Sequence, residues 1–141
     1  MSGEAHLVFV YGTLKRGFPN HGYMDGARLL GAARTKERYP LVVGNAWFTP
    51  YLLPEPGEGH RVKGELWEVP DAMMPALDEL ESTHLPNGYR RREIPVVPDG
   101  AANSVMAWTY FRDRRHLAVI HTGYLDDYQD RRYVASEDRG I

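Results

Sequence analysis

Two groups of residues in this chain have the types and spacing to do chemistry. The first is the string Tyr11-Gly12-Thr13-Leu14-Lys15-Arg16-Gly17, which follows the apolar run from His6 to Tyr11. A strand that stops at glycine can turn sharply, because glycine accepts positive φ and lets a ligand come close to the main chain. Successive backbone N–H groups in such a turn form a concave anion site. A carboxylate suits it, and so does an oxyanion developing during acyl transfer. The same string also reads as a plain strand-ending turn, and spacing alone does not decide between the two. It is not a nucleotide phosphate loop, since it lacks GxxxxGK[ST].

The second is Glu81. The run DAMMPALDELES, residues 71–82, is the best helix candidate. On a wheel turning about 100° per residue with Leu77 as zero, Met73 falls at −40°, Leu80 at −60°, Met74 at +60° and Glu81 at +40°. Glu81 therefore lies inside the apolar stripe, Asp78 sits at its border and Glu79 faces away. A carboxylate on a core-facing stripe is costly unless it is paired or neutralised. Desolvation raises its pKa and makes it a competent base near neutral pH. The alternative is that Glu81 splays to solvent or pairs with Arg90, Arg91 or Arg92, and both readings stay open.

Other constellations are weaker. The histidines at 6, 21, 60, 84, 116 and 121 show no HxxxH spacing, so no metal site is expected. No GxSxG surrounds any serine, which argues against a nucleophilic triad. Tyr110, Tyr124, Tyr128 and Tyr133 are candidates to line a pocket, though such residues are more often packing. The basic stretch from Tyr89 to Arg92 reads as a solvated strand face.

Positioning these residues is the work of one domain, read as residues 1–141. The 14 glycines and 10 prolines favour short strands and turns over a helical bundle. The 17 basic and 19 acidic residues argue against a binder that works by neutralising nucleic-acid phosphates. With no cysteine, disulfides, thiolate nucleophiles and cysteine-based metal sites are excluded, and a reducing, cytoplasmic setting fits. No leader peptide and no membrane span are read at the N-terminus. Residues 6–11 read as a strand covered on both faces, 13–26 as loop, and 27–43 as extended structure broken near Pro40. Residues 44–60 read as an irregular excursion. The segment 61–69 reads as a strand with a possible bulge at Gly64. The helix over 71–82 is expected to be capped by Asp71, with Pro75 in its first turns. A turn at 84–88, strands at 89–97 and 103–112, and a polar, aromatic tail over 121–141 complete the chain.

The string FVYGTLKRG followed by PNH, from Phe9 to His21, resembles the start of the γ-glutamylamine cyclotransferases, a branch of the γ-glutamylcyclotransferase-like (AIG2-like) family. The block LDELES, Leu77 to Ser82, followed by Tyr89 and Arg90, is similar to a second family block. VMAWTYF, carrying Tyr110, and GYLDDY with Tyr133 beyond it are weaker matches. The resemblance implies an α+β fold: a mixed β-barrel of about six to seven strands with a few packed helices. It implies intramolecular cyclisation of a γ-glutamyl amide, releasing 5-oxoproline and a free amine, with no cofactor. Glu81 takes the family's catalytic glutamate position and would act as general acid and base. The backbone around Gly12, Thr13 and Leu14 would hold an α-carboxylate or oxyanion, and Tyr11 and Tyr110 would wall the pocket. Arg16, Asn20 and His21 would shape the entrance. The expected partner is a small γ-glutamyl molecule. Two other readings remain: a non-catalytic binder of such ligands, and a partner-binding domain with a vestigial pocket.

Overall fold

The computed structural model describes residues 4–140. Ser2 and the start of the segment read for a leader lie outside the described residues. Seven strands run in chain order: β1 (Ala5–Val10), β2 (Arg28–Tyr39), β3 (Leu41–Gly44), β4 (Thr49–Leu52), β5 (His60–Pro70), β6 (Arg90–Pro98) and β7 (Val105–Phe111). Five of them close a barrel in the order β1-β5-β2-β6-β7. Four seams are antiparallel. The last, between β7 and β1, is parallel at Val8 and Trp108. Closure leaves the barrel without an unpaired edge.

The apolar run in β1 has a physical reason. Alternation sends Phe9 to one face, where it packs with Val62, Leu66, Val96, Ala107 and Phe111 from the other barrel strands. Val8 and Val10 face the other way and meet Trp67, Val69 and, from the helix α1 (Met74–Leu80), Met74 and Leu77. With both faces covered, neither set of positions can be polar.

Three local expectations change. Residues 44–60 contain β4, a four-residue strand paired antiparallel with β3 from Leu41–Leu52 to Gly44–Thr49. Its signal is masked by Pro50 within the strand and by a turn that places Asn45 (φ 60°) and Phe48 (φ 54°) in left-handed conformations. Gly64 is no bulge, since it pairs in register with Ala33. It is glycine because a β-carbon there would meet the Val10 carbonyl and lie 2.6 Å from the Phe9 ring. The helix is shorter than 71–82: Asp71–Met73 form a 3₁₀ turn before α1 begins. The Asp71 carboxylate does not cap it but meets His6 Nε2 at 2.7 Å. Pro75 falls in the first turn of α1, where its missing N–H costs nothing.

The tail after β7 lacks long regular elements, yet it is fastened to the barrel. Leu125 N–H donates to the Leu41 carbonyl and Lys63 N–H to the Asp126 carbonyl, at 2.8 and 2.7 Å. Tyr128 is fully buried among the barrel's apolar residues. Among the described residues, no helix is long and apolar enough to cross a membrane.

Candidate active site

β1 delivers the chain to Gly12 at the barrel's end. Gly12 is not in a left-handed conformation; its small size is what matters, because a β-carbon would lie 2.7 Å from Pro50 Cγ on β4. The left-handed residue of the loop is Gly17, at φ 84°. Between them the chain is wound into successive turns. Lys15 N–H donates to the Gly12 carbonyl and Asn20 N–H to the Thr13 carbonyl, while Asn20 Nδ2 donates to Thr13 Oγ1 at 2.9 Å. Among the described residues, the backbone N–H groups of Gly12, Thr13 and Leu14 have no partner within the protein.

Lys15 turns inward. It is 6% exposed, and its ammonium donates to the Tyr128 carbonyl at 2.8 Å and to Asp127 at 3.0 Å, 4.8 Å from the Phe18 ring centre. A lysine buried this far needs such partners. Here they tie the loop to the tail and bring Tyr133, whose hydroxyl accepts from Asn20 at 3.1 Å, to the loop's side.

Glu81 is the residue that ends α1. Ser82 N–H donates to the Glu79 carbonyl and Thr83 N–H to the Asp78 carbonyl, with Ser82 at φ 55°. This is a Schellman motif with serine where glycine is usual. The turn that follows is locked from two sides. A β-carbon at Gly88 would collide with the Ser82 carbonyl. The Arg90 guanidinium gathers the carbonyls of Thr83, Leu85 and Pro86 at 3.0–3.2 Å. Glu81 is therefore held by a helix end and a fixed turn, not by a continuing helical stripe.

The arginine pairing weighed for Glu81 falls to Asp78. Arg91 lies 3.3 Å from Asp78, which also accepts from the Tyr110 hydroxyl at 2.8 Å. Among the described residues, Glu81 has no ion pair. Burial first, and the Asp78 charge second, push its carboxyl up to about 8 from an ordinary 4.5. Glu81 keeps part of its surface free, and it lines a cavity of about 580 Å³, so enclosure and access to a ligand coexist. The phenols of Tyr11 and Tyr89 are raised by burial, and that of Tyr110 by burial and by Asp78, so all three stay neutral. Tyr11 donates to the Tyr110 carbonyl and Tyr89 to the Pro50 carbonyl, both at 2.7 Å.

The same cavity is lined by Tyr11, Gly12, Thr13, Leu14, Asn20 and Tyr110. Arg16 and His21 do not line it. Arg16 reaches across to Glu65 through its backbone N–H and Nε, each at 3.1 Å. His21 packs on Trp67, its Nδ1 3.1 Å from the Leu14 carbonyl. Of the tail aromatics, Tyr133 reaches the cavity, Tyr128 is in the core and Tyr124 is exposed. Sequence reasoning passed over Tyr51, Asn45, Arg112 and Arg139, all of them lining residues. Only Arg112 had a usable signal: it lies two residues beyond Tyr110, on the same side of an alternating strand.

The raised carboxyl has a consequence for stability. Between pH 4.5 and about 8 the folded chain holds a Glu81 proton that the unfolded chain has released. The contribution of Glu81 to stability is therefore fullest below pH 4.5 and is lost as the pH rises toward 8, by a few kcal/mol in all. The variant Glu81→Gln lacks this loss. Thermal melts of the two proteins should nearly coincide at pH 4.5, with the variant progressively more stable up to pH 8.5. A difference that stays constant across that range would contradict the assignment.

Comparison with known proteins agrees with this architecture. The family model described as "Gamma-glutamyl cyclotransferase, AIG2-like" matches residues 8–134. The gamma-glutamylaminecyclotransferase of Bos taurus is 40% identical over 98% of this chain and 87% of its own. That of Rattus norvegicus is 43% identical over 73% of this chain and 75% of its own. The crystal structure of an AIG2-like protein from Mus musculus superposes with a TM-score of 0.84 at 33% identity, covering 96% of this chain and 99% of that one. This chain belongs to the gamma-glutamyl cyclotransferase, AIG2-like family, a cyclotransferase class of enzymes.

Proposed function

We propose that the protein cleaves a γ-glutamyl amide by intramolecular cyclisation, releasing 5-oxoproline and a free amine. The observation that carries this reading is the unpaired, enclosed carboxyl of Glu81 in one cavity with the open N–H groups of the Gly12–Leu14 loop. The names of the relatives in Bos taurus and Rattus norvegicus support a γ-glutamylamine as the substrate class.

The substrate's α-amino group is the nucleophile and attacks its own γ-carbonyl carbon. It arrives as an ammonium ion and must first lose a proton. Glu81 accepts that proton. A carboxylate whose conjugate acid has a pKa of about 8 is a far stronger base than one at 4.5, and the arriving ammonium charge favours its ionised form. The new C–N bond closes the five-membered ring, and the γ-oxygen becomes an oxyanion. As the C–N bond to the leaving group breaks, Glu81 gives its proton to the departing nitrogen; the ring nitrogen, left with two protons by the attack, then gives up its second one through Glu81 to the amine, which leaves as an ammonium ion. The loop N–H groups hold the α-carboxylate or the oxyanion. Buried neutral tyrosines keep water out and hold the glutamyl arm folded, an orientation effect worth several kcal/mol.

Glu81→Gln should keep the fold and abolish 5-oxoproline release from a panel of γ-glutamylamines, read by mass spectrometry. Turnover close to wild type would refute the role of Glu81. Binding of γ-glutamyl compounds by the wild-type protein with no 5-oxoproline formed would show a binder instead of an enzyme. Gly12→Val drives a side chain into Pro50 and displaces the loop. Its affinity for a γ-glutamyl ligand should drop at least about tenfold, as expected for lost charge-assisted hydrogen bonds. Unchanged affinity would rule out the loop as the anion cradle.

A further inference from the structure

The proposed reaction has two anions to hold, the α-carboxylate and the γ-oxyanion, and besides the loop an arginine, Arg112, lines the same cavity. Arg112 follows the last residue of β7, and its backbone N–H is fixed to the Leu52 carbonyl at 3.0 Å. Its guanidinium lies 5.2 Å from the Tyr51 ring centre and 5.8 Å from that of Tyr89, two rings that stack on each other at 5.6 Å. Among the described residues it has no carboxylate within 4.0 Å, and its Nε is buried without a hydrogen-bond partner. Among the described residues its one side-chain hydrogen bond is a long one, 3.4 Å from NH1 to the Tyr51 hydroxyl. Six of the other thirteen arginines meet acids: Arg16, Arg28, Arg91, Arg114, Arg115 and Arg132. A buried N–H left without a partner is costly, and a planar guanidinium with unused donors matches a carboxylate bidentately.

Placement decides which anion it takes. The substrate's amine and α-carboxylate share one carbon, so the carboxylate must bind beside the group that receives the amine's proton. Tyr89 links the two: its backbone N–H donates to the Glu81 carbonyl at 3.1 Å, and its ring centre lies 5.8 Å from the Arg112 guanidinium. The other lining arginine, Arg139, belongs to the tail, with Nε on the Val134 carbonyl and its guanidinium by Trp47 and Tyr133.

We propose that Arg112 is the α-carboxylate-binding residue of the site, leaving the N–H groups of Gly12, Thr13 and Leu14 to the γ-oxyanion. This rests on the cyclisation reading above. It makes the α-carboxylate a required recognition element: substrates are γ-glutamyl compounds with that carboxylate free, and analogues with it amidated or absent are rejected.

The test compares two lactams, 5-oxoproline and 2-pyrrolidinone, which is the same ring without the carboxylate. Both are titrated by NMR shifts into the wild type, Arg112→Met and Arg112→Lys. The wild type should prefer 5-oxoproline. Arg112→Met should bind 5-oxoproline at least about tenfold more weakly with 2-pyrrolidinone unchanged, and Arg112→Lys should fall between. If Arg112→Met does not fold, Arg112→Lys decides by whether the preference shrinks at least threefold. Unchanged preference in the variants overturns the role of Arg112 alone. Equal loss of both lactams shows a structural residue and also overturns it. A wild type that binds no 5-oxoproline refutes the cyclisation reading and this inference together.

Discussion

A carboxyl group taken out of water with no cation beside it holds on to its proton, and Glu81 is in that position. The surrounding structure keeps it there. Asp78, one helical turn earlier, draws Arg91 and the Tyr110 hydroxyl to itself, so the nearest available positive charge is neutralised before it reaches Glu81. Arg90 is occupied by three carbonyls of the turn. Had either arginine paired with Glu81, the carboxyl would be pulled toward or below its ordinary range and would be a poor base. The arrangement costs stability above pH 4.5, as functional sites often do.

The opposing wall is fixed by the barrel. β1 is packed on both faces, so its C-terminal end has little freedom, and the loop begins where Gly12 is pressed against Pro50. Pro50 belongs to the β3–β4 ribbon, and its carbonyl accepts from Tyr89, whose own backbone is bonded to that of Glu81. The loop, the ribbon and the glutamate are therefore linked by direct contacts. Lys15 adds the tail to the same assembly from within the barrel.

Much of this was legible in the sequence, for definite reasons. The run in β1 could be read because burial on both faces leaves no polar position. The wheel marked Glu81 as anomalous because Met74, Leu77 and the end of the helix do face the core. What escaped reading depends on partners distant in sequence. β4 is four residues long with a proline inside, and only its pairing with β3 makes it a strand. The helix stops at Leu80 because Ser82 takes a left-handed conformation, for which serine gives no signal. Lys15, Arg16 and His21 look alike in a loop, yet one enters the core, one meets Glu65 and one packs on Trp67. Arg112 looks like any arginine after a strand until the two tyrosines and the missing acid are seen around it.

The protonation of Glu81 is the quantity on which the account turns. It is read directly by following the side-chain carboxyl carbon of selectively ¹³C-labelled glutamate through a pH titration by NMR, with Glu81→Gln assigning the resonance. A midpoint near 8 is expected in the free protein. A midpoint near the ordinary 4.5 would contradict it, because Glu81 would then be a solvated or paired carboxylate with no special capacity to take a proton.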